Sequence, residues 1–320
     1  MTLWLSILAG LAMLAAGGDL LVRGASSAAR RLGVSPLLIG LTLVGFGTST
    51  PELVTSLQAA FAGSPGIAVG NVVGSNISNS LLILGVTALV APLAVNRRAF
   101  RRDSLILIVA TGGLVWATTT GFLTREMGFA GIGALAMYIL LVWLMERKQP
   151  DAEGERIEDE AEGPSKAAAN LWLALPMAAA GIGITIYGAN LLVGGAIQLA
   201  RGLGVSDTLV GLTIVAIGTS LPELVTSAMA AARKQGEVAL GNILGSNLYN
   251  ILGILGITAA IKPIAVPGDI AKVDIWVLAA ATALMILLAR RLGRVTRAEG
   301  LLLVLAYAAY IAWLVWSSGL

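Results

Sequence analysis

Two short stretches of this sequence bring together the chemical groups that bind metal cations. Residues 47–52 read Gly-Thr-Ser-Thr-Pro-Glu and residues 218–223 read Gly-Thr-Ser-Leu-Pro-Glu, each within a long apolar segment. The glycine and proline weaken the helix, while hydroxyls, freed carbonyls and a carboxylate supply oxygen ligands. An ionisable residue at membrane depth costs about 2.5–3.5 kcal/mol on insertion scales. Two such residues, Glu52 and Glu223, therefore indicate a cation-binding function.

The order of residues within each stretch predicts a local geometry. Carbonyls between Gly45 and Thr48 should lose their helical partners and turn towards an ion. Ser49 or Thr50 should cap a second half-helix that carries Glu52 in its first turn. Discontinuous helices of transporters bind cations in this way, and the segment around Glu223 repeats the arrangement.

Further oxygen ligands are expected from a second repeated segment, residues 70–79 and 241–250, which begins with the motif Gly-Asn-x-x-Gly-Ser-Asn. Ser75, Asn79, Ser246 and Asn250 would add neutral oxygens to the two glutamates. Two carboxylates balance one Ca²⁺ or two Na⁺, and the sequence lacks the cysteine and histidine that favour zinc or copper. Asn71 and Asn242 could either bind the ion or join helices by hydrogen bonds.

The composition indicates an integral membrane protein. Hydrophobic residues make up 57% of the chain, charged residues only 12%, and the mean hydropathy is +0.87, whereas soluble proteins carry about 25% charged residues. Apolar runs of about 20 residues recur, and the alternating strands of an outer-membrane barrel are absent from the pattern, so an all-α fold is expected. The basic residues are spread over short loops, which disfavours a nucleic-acid partner. The N-terminal apolar segment lacks a basic region and a cleavage site, so we expect a retained helix.

The apolar segments predict ten transmembrane spans separated by one long polar loop. The loop, residues 146–169, is rich in Asp and Glu and is expected to be a solvated acidic linker. It divides a first repeat, residues 1–145, from a second, residues 170–320. The predicted spans are 3–22, 36–61, 67–91, 104–121, 127–145, 170–192, 207–232, 238–261, 271–289 and 299–317.

The two halves repeat each other at a constant shift. A shift of 171 residues maps 36–56 onto 207–227 with 14 identities in 21 positions, and it also aligns the Gly-Asn-x-x-Gly-Ser-Asn motifs. Five spans per half make the second repeat inverted relative to the first. Loops after odd-numbered spans carry 17 of the Lys and Arg residues and the other loops carry 4. The positive-inside rule then places the acidic linker in the cytoplasm and both termini outside, in the cytoplasmic (inner) membrane.

Other polar and aromatic residues have structural interpretations. Asp19 and its repeat-related Asn190 lie near predicted span ends, and we expect a structural role for both. Asp207 should cap the seventh span. Tryptophans at span ends are typical of interfacial anchors: Trp4, Trp143, Trp172, Trp313 and Trp316.

The repeated motifs resemble the two alpha-repeats of the cation/calcium exchanger superfamily, most closely its prokaryotic sodium/calcium antiporter branch. The resemblance extends over nearly the whole chain, including the five-plus-five topology and the acidic loop. It implies that Glu52 and Glu223 are shared between Ca²⁺ and Na⁺, and that Thr48 and Thr219 offer backbone carbonyls to Ca²⁺. The remaining implied sites are the sodium ligands Ser49, Ser75, Ser220, Ser246 and the carbonyls of Gly45 and Ala216, with Asn79 and Asn250 completing the centre.

One departure from the family pattern concerns charge. Some relatives carry aspartate at the position of Asn79 or Asn250, whereas this sequence has amides at both. The site would then hold two formal negative charges, which bears on the ratio of ions exchanged and on whether potassium is co-transported. The calcium site stays intact, because both glutamates remain.

The sequence therefore predicts an antiporter that exports Ca²⁺ against Na⁺ by alternating access, with spans one and six sliding past the rest and no resident cofactor. A Ca²⁺/H⁺ exchanger on the same fold is the nearest alternative, because glutamates can also carry protons. A cation channel is a second alternative, although two unlike half-sites in one chain favour a transporter. An enzyme is disfavoured by the lack of His, Cys or a plausible catalytic serine.

Overall fold

The computed structural model describes residues 3–61, 63, 65–146, 171–202, 216–268 and 270–317 of the chain. These residues are almost entirely helical, as expected from the composition. The acidic linker and Asp207 lie outside the described residues. The helices are α1 (Leu3–Leu32), α2 (Pro36–Ile39, the π-helical turn Gly40–Val44 and Gly45–Thr48), α3 (Thr50–Phe61), α4 (Pro65–Ser78, the π-helical turn Asn79–Ile83 and Leu84–Val90), α5 (Arg97–Thr119), α6 (Arg125–Glu146), α7 (Leu171–Gly202), α8 (Ala216–Thr219), α9 (Leu221–Ala232), α10 (Gly236–Leu248, the π-helical turn Tyr249–Ile254 and Leu255–Ile261), α11 (the π-helical turn Ile270–Asp274 and Ile275–Leu292) and α12 (Arg297–Ser317).

Seven of the described helices are long and apolar enough to cross a membrane, and the bent pair α2–α3 would make an eighth. Helix α5 begins with several arginines, and the segment containing α8 and α9 is described only from residue 216, so neither enters that count. The all-helical membrane architecture is thus observed, while the figure of ten spans stays a prediction. Helix α1 continues to Leu32, ten residues beyond the predicted end of the first span.

Both motif segments are broken where the sequence predicts a break. Helices α2 and α3 meet at Ser49 with a bend of 44°, and Ser49 has φ −84° and ψ 8°. Ser220, between α8 and α9, has nearly the same angles, φ −89° and ψ 5°. Pro51 and Pro222 lack the N–H that the carbonyls of Gly47 and Gly218 would accept in a continuous helix. The same residues therefore give nearly the same backbone angles at the break in each half.

The capping role predicted for the serine is wrong in the second half. Ser220 occupies the N-cap position of α9, yet its side chain makes no capping hydrogen bond. Its hydroxyl instead points to Glu52 in the other half. The hydroxyl donates towards a buried carboxylate, and because charge-assisted hydrogen bonds are about twice as strong as neutral ones, this contact sets the orientation of the side chain.

Helices α4 and α10 form the buried centre of the molecule. Every residue from Val238 to Asn250 is buried, and each helix widens into a π-helical turn near its middle, at Asn79–Ile83 and Tyr249–Ile254. π-Helical turns are frequent at functional sites. These two turns begin at or next to Asn79 and Asn250, so the widened backbone lies where the site asparagines are needed.

Helices α1 and α7 pack against each other in antiparallel directions along much of their length. Glycines recur every seventh residue on both helices, at 10, 17 and 24 and at 181, 188 and 195. A Cβ added at Gly10 would lie 2.7 Å from the backbone nitrogen of Leu192, and one at Gly17 would lie 2.6 Å from that of Thr185. Only glycine permits such a close backbone approach.

Two small antiparallel sheets join the halves at the helix ends. Strand β1 (Leu93–Ala94) pairs with β4 (Arg294–Val295), and β2 (Phe122–Leu123) pairs with β3 (Ile264–Ala265). The tryptophans predicted as anchors are exposed or partly exposed, which suits side chains that meet lipid headgroups.

Candidate cation site

The centre of the site is a pair of carboxylates held by serines from opposite halves. Glu52 and Glu223 are each only 1% exposed. Ser49 Oγ donates a hydrogen bond of 2.8 Å to Glu223 Oε1, and Ser220 Oγ lies 3.5 Å from Glu52 Oε1 as its donor. Each serine lies three residues before the glutamate of its own half and contacts the glutamate of the other half. These two contacts bring the carboxylates into one buried centre.

Several buried polar atoms of the predicted ligands lack a protein partner within the described residues. They include the second carboxylate oxygens of both glutamates and both polar atoms of the Asn79 and Asn250 side chains. Most buried polar groups in proteins are hydrogen-bonded, and an unsatisfied one costs about 1–3 kcal/mol or more. The four oxygens among these atoms, two from the carboxylates and two from the amides, are groups that a cation would satisfy.

The two further serines of the predicted sodium ligands are also buried. Ser246 Oγ lies 3.5 Å from the carbonyl oxygen of Gly45 as a hydrogen-bond donor, and Ser75 is 5% exposed on α4. The Gly45 carbonyl accepts the N–H of Ser49 at 3.2 Å. It therefore keeps its helical partner, contrary to the expectation that it is freed, and the Ser246 hydroxyl approaches the same oxygen from the other half.

The threonines and the remaining carbonyl follow the broken helices. Thr48 is fully buried at the end of α2. Thr219 is partly buried at the end of α8, and Ala216 is the first residue of that helix. The structure therefore brings together Glu52, Glu223, Ser49 and Ser220 through contacts between the halves, and Ser246 and Gly45 by a further such contact.

Asn71 and Asn242 form hydrogen bonds between helices, one of the two roles that the sequence predicts for them. Asn71 Nδ2 donates to the carbonyl oxygen of Glu52 at 3.0 Å and to Ser56 Oγ at 2.9 Å. Asn242 Nδ2 donates to the carbonyl oxygen of Glu223 at 3.3 Å and to Ser227 Oγ at 2.9 Å. The two amides thus bind the backbone of the helices that carry the glutamates, α3 and α9.

Two more buried asparagines belong to the repeated motifs and have no role predicted from the sequence. Asn76 and Asn247 are the last residues of the repeated Gly-Asn-x-x-Gly-Ser-Asn motifs, and both are fully buried. Asn247 Nδ2 donates to Ser80 Oγ at 3.1 Å, which joins α10 to α4. The signal was present in the repetition of the motif, but the sequence did not indicate which neighbours the amides would meet.

Asp19 has the structural role that was expected, with a partner that sequence could not supply. It forms an ion pair of 2.9 Å with Arg23 on its own helix and a second ion pair with Arg233 at the end of α9. Nearby, Ser26 Oγ donates to Gln235 Oε1 at 2.7 Å. Together these contacts tie one end of α1 to the end of α9.

Comparison with known proteins identifies the family. The family model described as sodium/calcium exchanger protein matches residues 2–145 and 173–316. CaxA of Alkalimonas amylolytica is 40% identical over 95% of this chain and 96% of its own. Sodium/calcium exchanger MaX1 of Methanosarcina acetivorans is 32% identical over 96% of this chain and 97% of its own.

Solved structures give the same answer at the level of the fold. The sodium-calcium exchanger NCX_Mj, in crystals soaked with 2.5 mM Na⁺ and 0.1 mM Ca²⁺, superposes with a TM-score of 0.81 at 29% identity, covering 96% of both chains. The resemblance carried by the repeated motifs is therefore confirmed. This membrane protein belongs to the sodium/calcium exchanger family.

Proposed function

We propose that the protein is a secondary antiporter that exchanges Ca²⁺ for Na⁺, with Glu52 and Glu223 shared between the competing ions. The observation that carries this proposal is the buried pair of carboxylates, each approached by a serine from the other half. Similarity to MaX1 and NCX_Mj, both named as sodium/calcium exchangers, supports it.

The ligand chemistry fits hard cations. Ca²⁺ takes six to eight oxygens, and Na⁺ is likewise a hard ion. The two carboxylates, the amide oxygens of Asn79 and Asn250, and the hydroxyls of nearby serines supply oxygens only. With amides in place of further carboxylates, the formal charge of the centre is balanced by one Ca²⁺ or by two Na⁺.

Competition for the same carboxylates would couple the two ion fluxes. A pair of bare negative charges in a dry centre is costly, so the transporter should change access only when Ca²⁺ or Na⁺ neutralises them. We assign the movement to α1 and α7 sliding past the other helices as predicted spans one and six. Their close glycine-lined contact would let them move together.

The topology that this function requires is ten spans in two inverted repeats. It is supported by the antiparallel contact of α1 with α7 and by strand pairs that each take one strand from either half. On this topology the acidic linker is cytoplasmic and both termini are outside. The membrane is the cytoplasmic one, which agrees with the name of another relative, inner membrane protein YrbG of Escherichia coli, 33% identical over 98% of this chain.

The test measures Ca²⁺ flux into vesicles containing the purified protein. Wild type should take up Ca²⁺ when only an outward Na⁺ gradient is present, and Glu52→Gln or Glu223→Gln should abolish this uptake. Glu299→Gln is the matched control, because Glu299 caps α12 through Thr296, away from the site. Normal uptake in either site variant would refute the shared glutamates.

The same assay separates sodium from proton coupling. Glutamates can also carry protons, so a Ca²⁺/H⁺ exchanger is the alternative to be tested. Uptake driven by a pH gradient alone, with none from a Na⁺ gradient alone, would establish that alternative and contradict our proposal.

A further inference from the structure

Asn242 links the two half-sites in a way that the proposed ligand set does not include. Its carboxamide contacts three groups: Thr48 Oγ1 at 3.2 Å, the carbonyl oxygen of Glu223 at 3.3 Å and Ser227 Oγ at 2.9 Å. Thr48 belongs to the first half, and the other two groups belong to the second. Asn242 itself is fully buried on α10.

The chemistry of these neighbours fixes the orientation of the amide. A backbone carbonyl can only accept, so the atom facing Glu223 must be the NH₂ group of Asn242. Its two protons are then used by the carbonyl of Glu223 and the hydroxyl of Ser227. The remaining oxygen, Oδ1, can only accept, and Thr48 is its donor. The amide therefore relays a contact from Thr48 to the backbone of Glu223.

Consecutive residues of the first half thereby hold Glu223 at two points. Ser49 donates directly to its carboxylate at 2.8 Å, and Thr48 reaches its backbone carbonyl through Asn242. Thr48 also donates towards the Val44 carbonyl at 3.1 Å, so its hydroxyl proton is shared between its own helix and the other half. A shift of the broken helix α2 would change the position of Glu223 through both contacts.

We infer that Asn242 is a positioning residue that couples the half-site around Thr48 to Glu223, so that both halves respond together when an ion binds. It does not touch the ion in this role and acts through Glu223. The inference rests on the proposed function, because it concerns binding of Ca²⁺ at the shared glutamates.

A double-mutant cycle on Ca²⁺ binding tests this coupling. Isothermal titration calorimetry with Ca²⁺ would compare wild type, Thr48→Val, Asn242→Leu and the double variant. Thr48→Val removes the hydroxyl and keeps the backbone carbonyl. If the bridge acts as inferred, the fold-change in Kd of the double variant should differ from the product of the two single fold-changes by more than about twofold, as for residues in direct contact.

The control cycle pairs Thr42→Val with Asn242→Leu. Thr42 is on the same helix as Thr48, but its hydroxyl donates to the Leu38 carbonyl of its own helix at 2.7 Å. The fold-change in Kd of this double variant should therefore equal the product of the two single fold-changes to within about twofold. A Thr48–Asn242 cycle that is also within about twofold overturns the inference.

Two further outcomes are distinguishable. If Asn242→Leu does not fold, Asn242→Ser takes its place, since serine is small and too short to bridge the two halves. If wild type does not bind Ca²⁺ at all, the proposed function fails, and the inference fails with it. Binding by wild type with multiplicative single effects removes the inference alone.

Discussion

Ser49 and Glu223, 174 positions apart in the sequence, are joined by a 2.8 Å hydrogen bond from the serine hydroxyl to Oε1 of the carboxylate. The related contact, from Ser220 to Glu52, is longer at 3.5 Å. Each carboxylate thus has one oxygen turned to a hydroxyl of the other half and one oxygen without a partner within the described residues. Orientation of the free oxygens depends on residues that are far away in sequence.

Replacing the two serines should have unequal effects. Ser49→Ala removes a short bond to a carboxylate, and hydrogen bonds to charged groups contribute about 1.5–3 kcal/mol, so the half-saturating Ca²⁺ concentration should rise by about tenfold. Ser220→Ala removes a contact at the limit of hydrogen bonding and should raise it by less than about threefold. The measurement is initial Ca²⁺ uptake at varied Ca²⁺; equal effects, or a larger effect of Ser220→Ala, would contradict the geometry.

Adding a carboxylate at Asn250 should make Ca²⁺ affinity depend more steeply on pH. The Asn250 amide is buried and both its polar atoms lack partners within the described residues. When ionised, Asp in Asn250→Asp would attract Ca²⁺ more strongly; when protonated, it would be neutral like the amide. The variant should therefore bind Ca²⁺ more tightly than wild type in alkaline buffer and lose that advantage in acid.

Calorimetric titration with Ca²⁺ at several pH values measures this difference. Asn250→Ala is the control, since it removes the oxygen without adding charge and should bind more weakly throughout. An Asn250→Asp variant with wild-type affinity at every pH would show that residue 250 is too far from the bound Ca²⁺ to act on it electrostatically.

The contact between α1 and α7 should be intolerant of even a methyl group. A Cβ at Gly181 would lie 2.7 Å from the Cα of Leu21, whereas one at Gly183 would meet nothing within 4 Å. Gly181→Ala should therefore lower the thermal unfolding midpoint by several degrees and slow exchange, because overpacking costs about 1–3 kcal/mol. Gly183→Ala is the matched control and should behave as wild type in both measurements. Equal stability of the two variants would argue against the close contact.

The ion pair between helices should matter more than the one within a helix. Arg233 joins Asp19 from the end of α9, while Arg23 joins Asp19 from one turn along α1. Ala29, buried on α1 beyond Ser26, can report on opening of this region after substitution by cysteine, because the chain has no cysteine of its own. Arg233→Gln should speed thiol labelling of Ala29→Cys by roughly twofold or more, and Arg23→Gln should change it little, as isolated exposed pairs contribute little.

Labelling rates in detergent-solubilised protein, with and without Ca²⁺, give this comparison. The prediction fails if both arginine variants label at the rate of the parent cysteine variant. A larger effect of Arg23→Gln would show that the ion pair within α1, and not the ion pair between α1 and α9, controls the access of the thiol reagent to position 29.

Two expectations from the sequence fail, each for its own physical reason. Ser49 or Thr50, and Ser220 in the second half, are expected to cap a half-helix, and the Gly45 carbonyl is expected to be free; the structure contradicts the expectations for Ser220 and Gly45. The Ser220 expectation considered one half alone, whereas this hydroxyl points to a carboxylate of the opposite half. Gly45 keeps its helical donor because the helix ends only at Ser49, whose N–H still reaches the Gly45 carbonyl. Local patterns do not contain the position of the partner half.

The sequence by itself determined the all-helical membrane fold, the two kinks and the identity of the buried glutamates. It could do so because hydrocarbon penalises charge and broken backbone so strongly that Pro51, Pro222, Glu52 and Glu223 stand out from their apolar surroundings. The tertiary structure alone decided which groups meet: Ser49 with Glu223, Asn242 with Thr48 and Arg233 with Asp19. These pairs are separated by well over a hundred residues, and only the packing of one half against the other brings them within hydrogen-bonding distance.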